Sequence, residues 1–152
     1  MKTGVVVGTF FALAVCGCSD LFAPGDPLPA GAVEFTPPAY FTDLWREIDS
    51  CSGITRPMGR VSFYQVNTTG AGFVANGDVV AGIYQGDANR IVLSSYLLDT
   101  TTSPLYNLTV IRHEMLHAHL PNPSTLGDLH PPEFFGTPPT YDDGKCGTIV
   151  SH

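Results

Sequence analysis

Apolar residues recur along this chain at different spacings, and each spacing predicts one kind of element. Leu44, Trp45 and Ile48 lie at helical spacing, so we predict an N-terminal helix from about residue 42 to about Cys51. Trp45 is expected in the core. Gly53 is expected to end the helix, because glycine readily adopts the left-handed conformation found at many helix C-termini.

A β-rich stretch follows, in which short apolar runs are separated by turn signals. We predict strands at residues 60–66, 73–75, 78–84 and 90–94. Asn76-Gly77, between the second and third of these strands, is a strong signal for a two-residue hairpin turn. A sheet of about four strands, mostly antiparallel, is therefore expected.

A second helix is predicted between Ser103 and Pro121. Ser103 is a favourable N-cap, and Pro104 suits the first helical position, where its missing N–H costs nothing. Pro121 keeps Leu120 out of the α conformation, so the helix should end close to His119. The proline-rich remainder predicts a long C-terminal loop. Together these elements predict the α+β fold class.

The first residues of the chain resemble a bacterial lipoprotein signal peptide, which would cover residues 1–18. An apolar run over residues 5–15 is too short to span a bilayer comfortably. It leads into Cys16-Gly17-Cys18, which resembles a lipobox. Cys18 fits the lipid-modified position better than Cys16, because the small Gly17 precedes it. The alternative is an ordinary secretory signal cleaved nearby.

Residues 19–39 are rich in proline and glycine and predict a semi-extended tether with no core of its own. The folded domain is expected to cover residues 40–152. This organisation predicts a protein of the bacterial cell envelope, lipid-anchored at the outer membrane or cell surface, or otherwise secreted. Contact with the membrane is expected through the lipid anchor only.

The charge balance excludes one class of partner. The 152 residues include 7 Lys and Arg against 14 Asp and Glu, for a net charge of −7. Binding to nucleic acid needs concentrated Lys and Arg, and the chain has no basic cluster, so no nucleic-acid partner is expected. The length fits one small domain with appendages, and we expect a monomer.

Two cysteines remain once Cys16 and Cys18 are assigned to the signal peptide. In an oxidising compartment, Cys51 and Cys146 most simply form one disulfide. Such a bridge would close a loop of about 95 residues and contribute about 2–5 kcal/mol to stability. Binding of zinc by either thiolate is the alternative, which is disfavoured because neither lies near another ligand in the sequence.

The predicted second helix carries the sequence His113-Glu114-Met115-Leu116-His117, an H-E-x-x-H pattern. His113 and His117 project from the same helix face, so both imidazoles can reach one Zn²⁺ at about 2.0–2.1 Å. Glu114 stands beside them as a candidate catalytic base. A helical core with incidental histidines is the alternative, but it would leave these polar groups clustered in search of partners.

Strand-rich sequence followed by such a helix resembles the zincin metallopeptidases, over about residues 41–147. The metzincin branch continues H-E-x-x-H-x-x-G-x-x-H, but here Leu120 and Pro123 stand at the positions of its glycine and third histidine. A G-x-x-H pattern ending at His130 follows seven residues later. The order of His130, a proline, a phenylalanine and then Cys146 after the helix also resembles that of small exported bacterial proteins of zincin type. The resemblance implies a small zincin-like domain with Zn²⁺ as cofactor.

The third metal ligand is ranked rather than determined by the sequence. His130 comes first, because the intervening loop is long enough to fold back under the end of the helix. Its rivals are the carboxylates Asp128, Glu133, Asp142 and Asp143. His119 lies about 200° around the helix from His117, so we expect it to point away from the metal, on the surface or in support of a ligand.

These features predict an exported zinc-dependent endopeptidase that acts on a peptide or protein substrate. Three neutral imidazoles would leave one open position on zinc, where a water molecule becomes acidic and Glu114 accepts its proton. As in zincins, an unpaired strand such as Ile91 to Ser94 would align the peptide. The alternatives are a catalytically inactive zinc-binding lipoprotein and a surface interaction module. Glu114 favours hydrolysis, because a purely structural site needs no base.

Overall fold

The computed structural model describes residues 27–75, 77–99, 101–120, 130–135 and 144–146. The predicted signal peptide, with Cys16 and Cys18, lies outside these residues. The helices of the described part are α1 (Ala39–Ser52), α2 (Pro104–His119) and α3 (Pro132–Phe135). Its strands are β1 (Ala32–Glu34), β2 (Ser62–Val66), β3 (Phe73–Ala75), β4 (Asp78–Val80), β5 (Gly82–Gln85) and β6 (Arg90–Ser94). The predicted α+β class is confirmed. No helix within the described ranges has the length and apolar character needed to cross a membrane.

A four-stranded mixed sheet lies at the centre of the domain, in the order β1-β2-β6-β5. β2 pairs antiparallel with β1 and parallel with β6, and β6 pairs antiparallel with β5. The prediction of an unpaired strand at Ile91 to Ser94 is wrong, because β6 has a partner on each side. All four of these residues are buried, and burial on both faces is typical of a central strand. β1 and β5 are the edge strands of this sheet, and α2 packs against β5.

The single strand predicted over residues 78–84 is divided in two. β4 pairs with β3 in a separate two-stranded sheet, whereas β5 belongs to the main sheet. Ala75 pairs with Asp78, so β3 and β4 form the hairpin that the Asn76-Gly77 signal predicted. This hairpin covers one face of the main sheet, through a cluster of Val66, Phe73, Ala75 and Val92.

The predicted tether over residues 19–39 joins the fold at its C-terminal end, which corrects the expectation that it has no core of its own. β1 lies within this segment and pairs with β2. The ring of Phe35 lies 6.0 Å from that of Phe41 and 6.2 Å from that of Phe63. The folded part therefore begins before residue 40. The prolines of residues 19–39 hide the strand-forming tendency of β1 in the sequence. A strand of three residues forms only when a neighbour such as β2 supplies an edge for pairing.

The two long helices cover the other face of the main sheet. α1 begins directly after Pro38, slightly earlier than predicted, and ends at Gly53, whose φ of 70° is the expected left-handed cap. Trp45 is buried as predicted, with 4% of its surface exposed. The shared core consists of Phe41, Trp45, Ile48, Phe63, Ile91, Leu93, Ile111, Met115, Leu116 and Ala118.

α2 has the predicted limits, but it starts differently. Ser103 adopts a left-handed φ of 51°, and its side chain does not cap the helix. Asn107 is fully buried instead, and its amide donates to three carbonyls of the preceding loop at 2.7 to 3.3 Å. The hydrogen bonds of Asn107 therefore hold that loop against the first turn of α2.

Candidate metal centre

Three histidine side chains meet at one point beside α2. His113 and His117 project from successive turns of this helix, and His130 lies shortly before α3. The Nε2 atom of His113 lies 3.1 Å from Nε2 of His130 and 3.2 Å from Nε2 of His117. The candidate ligand atoms of all three residues lie within 4.8 Å of one another. This group could bind a metal ion.

The chemistry of these donors fits a metal. Nitrogen ligands at about 2.0–2.1 Å from a tetrahedral Zn²⁺ lie about 3.3 Å apart, close to the 3.1 and 3.2 Å found here. Burial, followed by the charge of His130, lowers the pKa of His113 to about 4. Burial, followed by the charges of His113 and His130, lowers the pKa of His117 to about 3. Both imidazoles are therefore neutral near pH 7, which is the form that binds metals.

An aromatic ring supports the three imidazoles. The centroid of the Phe135 ring lies 4.9 Å from that of His113, 4.6 Å from that of His117 and 4.9 Å from that of His130. Only 2% of the surface of Phe135 is exposed. The ring therefore restricts the imidazoles by packing, and it contributes to the burial that favours the neutral form of His113 and His117.

Two hydrogen bonds and a disulfide connect the segment that carries His130 to the rest of the domain. The backbone N–H groups of residues 145 and 146 donate to the carbonyls of residues 133 and 134 at 2.9 and 3.0 Å. Cys146 forms the predicted disulfide with Cys51 of α1, with a Cα–Cα distance of 5.3 Å. The disulfide and these two hydrogen bonds thus connect the third histidine to the helix layer.

Removing the disulfide should weaken both the fold and the metal centre. A Cys51→Ala/Cys146→Ala variant should lose about 2–5 kcal/mol in free energy of unfolding, because the bridge joins residues 95 positions apart. The histidine group should also bind a metal ion more weakly, since fewer contacts order the segment of His130. Urea denaturation and zinc titration measure the two effects, with reduced wild type as the matched comparison. Unchanged zinc affinity would show that the disulfide does not order this histidine.

Glu114 lies on the same helix, turned towards the edge strand β5. Its surface is 7% exposed, and the backbone N–H of Tyr84 donates to its carboxylate. This close approach requires a glycine in β5, since a Cβ at Gly82 would lie 2.8 Å from Cγ of Glu114. Around the helix axis Glu114 stands roughly 60° from His117 and roughly 100° from His113. It therefore belongs to the same side of α2 as the histidines.

Burial raises the pKa of Glu114 to about 8, and the Tyr84 N–H opposes this only in part. In the metal-free protein, between about pH 4.5 and pH 8, Glu114 therefore keeps its proton in the folded state but has lost it in the unfolded state. Because the folded state binds more protons in this window, stability falls as the pH rises through it.

The metal-free Glu114→Gln variant should consequently be more stable than metal-free wild type near pH 8. The advantage should be on the order of a few kcal/mol at alkaline pH and should disappear below about pH 4.5, where Glu114 is protonated in both states. Thermal unfolding in the presence of a chelator, across this pH range, measures the difference. An advantage that is the same at every pH would contradict the assignment of the effect to a buried carboxylate.

The structure describes one of the four rival carboxylate ligands. Glu133 is exposed and is not a member of the histidine group. Asp128, Asp142 and Asp143 lie outside the described residues. Among the described candidates for the third position, the structure therefore brings His130 to the helix histidines.

Two other polar residues of α2 face α1. His119 is fully buried, which corrects the expectation of a surface position, and as expected it is not part of the histidine group. Its ring nitrogens lie 2.9 Å from the carbonyl oxygen of Met115 and 2.9 Å from Oδ1 of Asp49. Arg112 forms an ion pair with Glu47 at 2.8 Å. Sequence periodicity gave the direction of His119, but not that α1 would cover it.

The contributions of β5 to the site were missed by sequence reasoning. Gly82 and Tyr84 were assigned to the end of a longer strand, with no link to Glu114. A glycine inside a strand pattern is a signal of close approach by another group, but it does not identify the group. That information comes only from the packing of α2 against β5.

No protein-family model matches this chain, and no curated protein or solved structure matches it either. Any assignment of function consequently depends on the residues of the site itself.

Proposed function

We propose that this protein is a zinc-dependent peptidase. The observation that carries the proposal is the convergence of His113, His117 and His130, and Glu114, which follows His113 on the same helix, adds support. Three nitrogen donors with a carboxylate beside them are the set found at catalytic zinc, which keeps one position open. A structural zinc site usually has four protein ligands and needs no base.

The residues of the site would have separate roles in metal binding and in proton transfer. The three imidazoles would hold the metal, and Phe135 would keep their rings oriented. Zinc would supply a Lewis acid that polarises a carbonyl and makes water acidic near neutral pH. Glu114 would accept the proton from that water and return it to the leaving amine. The metal's positive charge would lower the pKa of Glu114, which burial alone raises.

The proposal includes an extracytoplasmic location, through the lipid anchor predicted at Cys18. Two features support it: the signal-like residues 1–18 and the disulfide between Cys51 and Cys146. Disulfides form and persist mainly in oxidising compartments.

Metal removal tests the proposed activity directly. The purified domain should contain about one zinc and should cleave members of a broad peptide library, and a chelator should abolish cleavage until zinc is restored. A protein that binds no zinc would contradict the proposal. One equivalent of zinc without any cleavage would instead support the alternative of a zinc-binding lipoprotein that lacks hydrolytic activity.

A further inference from the structure

A cavity of about 390 Å³ lies at the C-terminal end of α2, beyond the histidine group. Its walls are the loop that follows α1, the end of β5 with the turn after it, and the last residues of α2. The residues that matter for its chemistry are Trp45, Arg56, Arg60, Tyr84, Asn89 and Ala118.

Two arginine residues line the cavity. The chain has a net charge of −7 and only 7 Lys and Arg, yet Arg56 and Arg60 both line this one cavity. Within the described residues, neither forms an ion pair. Asp49, the nearest carboxylate along α1, is engaged by the ring of His119. Two unpaired cations in a concave site are suited to a carboxylate, which accepts charge-assisted hydrogen bonds from Arg.

Arg56 is held in place by three hydrogen bonds, one to α2 and two to α1. Its Nη1 atom donates to the carbonyl of Ala118 at 3.3 Å, and its own carbonyl accepts from Nε1 of Trp45 at 2.6 Å. Its backbone N–H donates to Asp49 at 3.2 Å. Because a guanidinium has five N–H donors, the bond to Ala118 leaves others for a ligand. Arg56 is therefore fixed before any ligand binds, which lowers the entropic cost of binding.

Two residues that line the cavity are close to Glu114 and His117 along the chain or through a hydrogen bond. Ala118 follows His117 directly and lies one helical turn after Glu114, a rise of about 6 Å. Tyr84 donates its backbone N–H to Glu114 and also lines the cavity. An extended peptide advances about 3.3 Å per residue, so the rise of about 6 Å along α2 from Glu114 to Ala118 corresponds to about two residues of such a peptide.

We infer that this cavity is a specificity pocket for a carboxylate of the substrate, bound by Arg56 and Arg60. The carboxylate is either an acidic side chain flanking the cleaved bond or the C-terminus of the peptide. The inference rests on the proposed function for its substrate, but binding of the carboxylate can be measured without cleavage.

Trp45 makes the binding measurement direct, because it is the single tryptophan of the chain and lines the cavity. Metal-free Glu114→Gln protein, which cannot hydrolyse the ligand, is titrated with short acetylated and amidated alanine peptides that contain one Glu or one Gln. A second pair has a free or an amidated C-terminus. The change in Trp45 fluorescence should show one carboxylate form binding about tenfold to hundredfold more tightly than its neutral counterpart.

Arg60→Glu is the decisive variant. Its side chain makes no hydrogen bond or ion pair within the described residues, so the change should leave the fold intact while removing the preference for the carboxylate. Arg46→Glu is the matched control, since it alters net charge equally but lies on exposed α1 surface, paired with Asp43. Equal binding of carboxylate and neutral peptides, or a preference that survives Arg60→Glu, would overturn the inference.

Cleavage assays on zinc-loaded wild type then separate the sources of the carboxylate. Preference for an internal Glu assigns the pocket to an acidic side chain, and preference for the free C-terminus assigns it to terminal cleavage. If the fluorescence preference is present but no peptide is cleaved, the pocket stands and the proposed peptidase activity fails. If cleavage occurs with no carboxylate preference in either assay, the activity stands and the pocket assignment fails.

Discussion

Glu114→Gln should reduce peptide hydrolysis by about 10²–10⁴-fold and leave the zinc content unchanged. The amide has nearly the shape of the carboxylate but cannot accept a proton from water. The three imidazoles that would hold zinc are separate side chains, so their geometry should be retained. The measurements are kcat/KM on a peptide cleaved by wild type and metal content of the same preparation.

Stability provides the control for this variant. Because burial raises the pKa of Glu114 to about 8, the metal-free variant should be at least as stable as wild type, and loss of activity cannot then be ascribed to unfolding. Glu133→Gln is the matched substitution, since Glu133 is exposed and outside the histidine group. It should retain full activity. Activity that survives in Glu114→Gln would remove Glu114 from the mechanism.

His130→Ala should weaken zinc binding by at least about 100-fold, because even partners that only support a ligand contribute about 10–100-fold to affinity. His130 Nε2 lies 3.1 Å from His113 Nε2, so its loss would leave two protein ligands from α2. Competition with a chromophoric chelator measures the affinity. Activity should fall in parallel at limiting zinc.

Glu133→Ala is the appropriate control for His130→Ala, because it removes a rival carboxylate from the same short segment. Among the described residues, the contact made by Glu133 is through its backbone carbonyl, which accepts from Lys145 N–H at 2.9 Å. This variant should bind zinc as wild type does. Wild-type affinity in His130→Ala, or a loss in Glu133→Ala, would reassign the third ligand.

The candidate site was predictable where it depends on local spacing. His113 and His117 share a helix face because four residues make slightly more than one turn, and α2 has the predicted limits Pro104–His119. Glycine and proline likewise marked the end of both long helices. These signals act within a few residues, so they need no knowledge of the rest of the chain.

The sheet was predicted less well, because its pairings join distant residues. Residues 78–84 contain one continuous strand-like pattern, but β4 and β5 take different partners. β6 was expected to have an unpaired edge, and it lies between β2 and β5. A strand-forming composition is compatible with both an edge position and a central position in a sheet. The burial of residues 91 to 94 on both faces shows that β6 is central.

The sequence by itself determined an H-E-x-x-H helix and an α+β chain, and it predicted the pairing of Cys51 with Cys146, which the structure confirms. It ranked His130 as third ligand without excluding its rivals. The tertiary structure decided that His130 meets the helix histidines over Phe135. It also decided that Gly82 admits Glu114, and that α1 covers His119. The physical reason is that helical spacing is set by neighbouring residues, whereas these contacts exist only after hydrophobic burial has packed separate segments together.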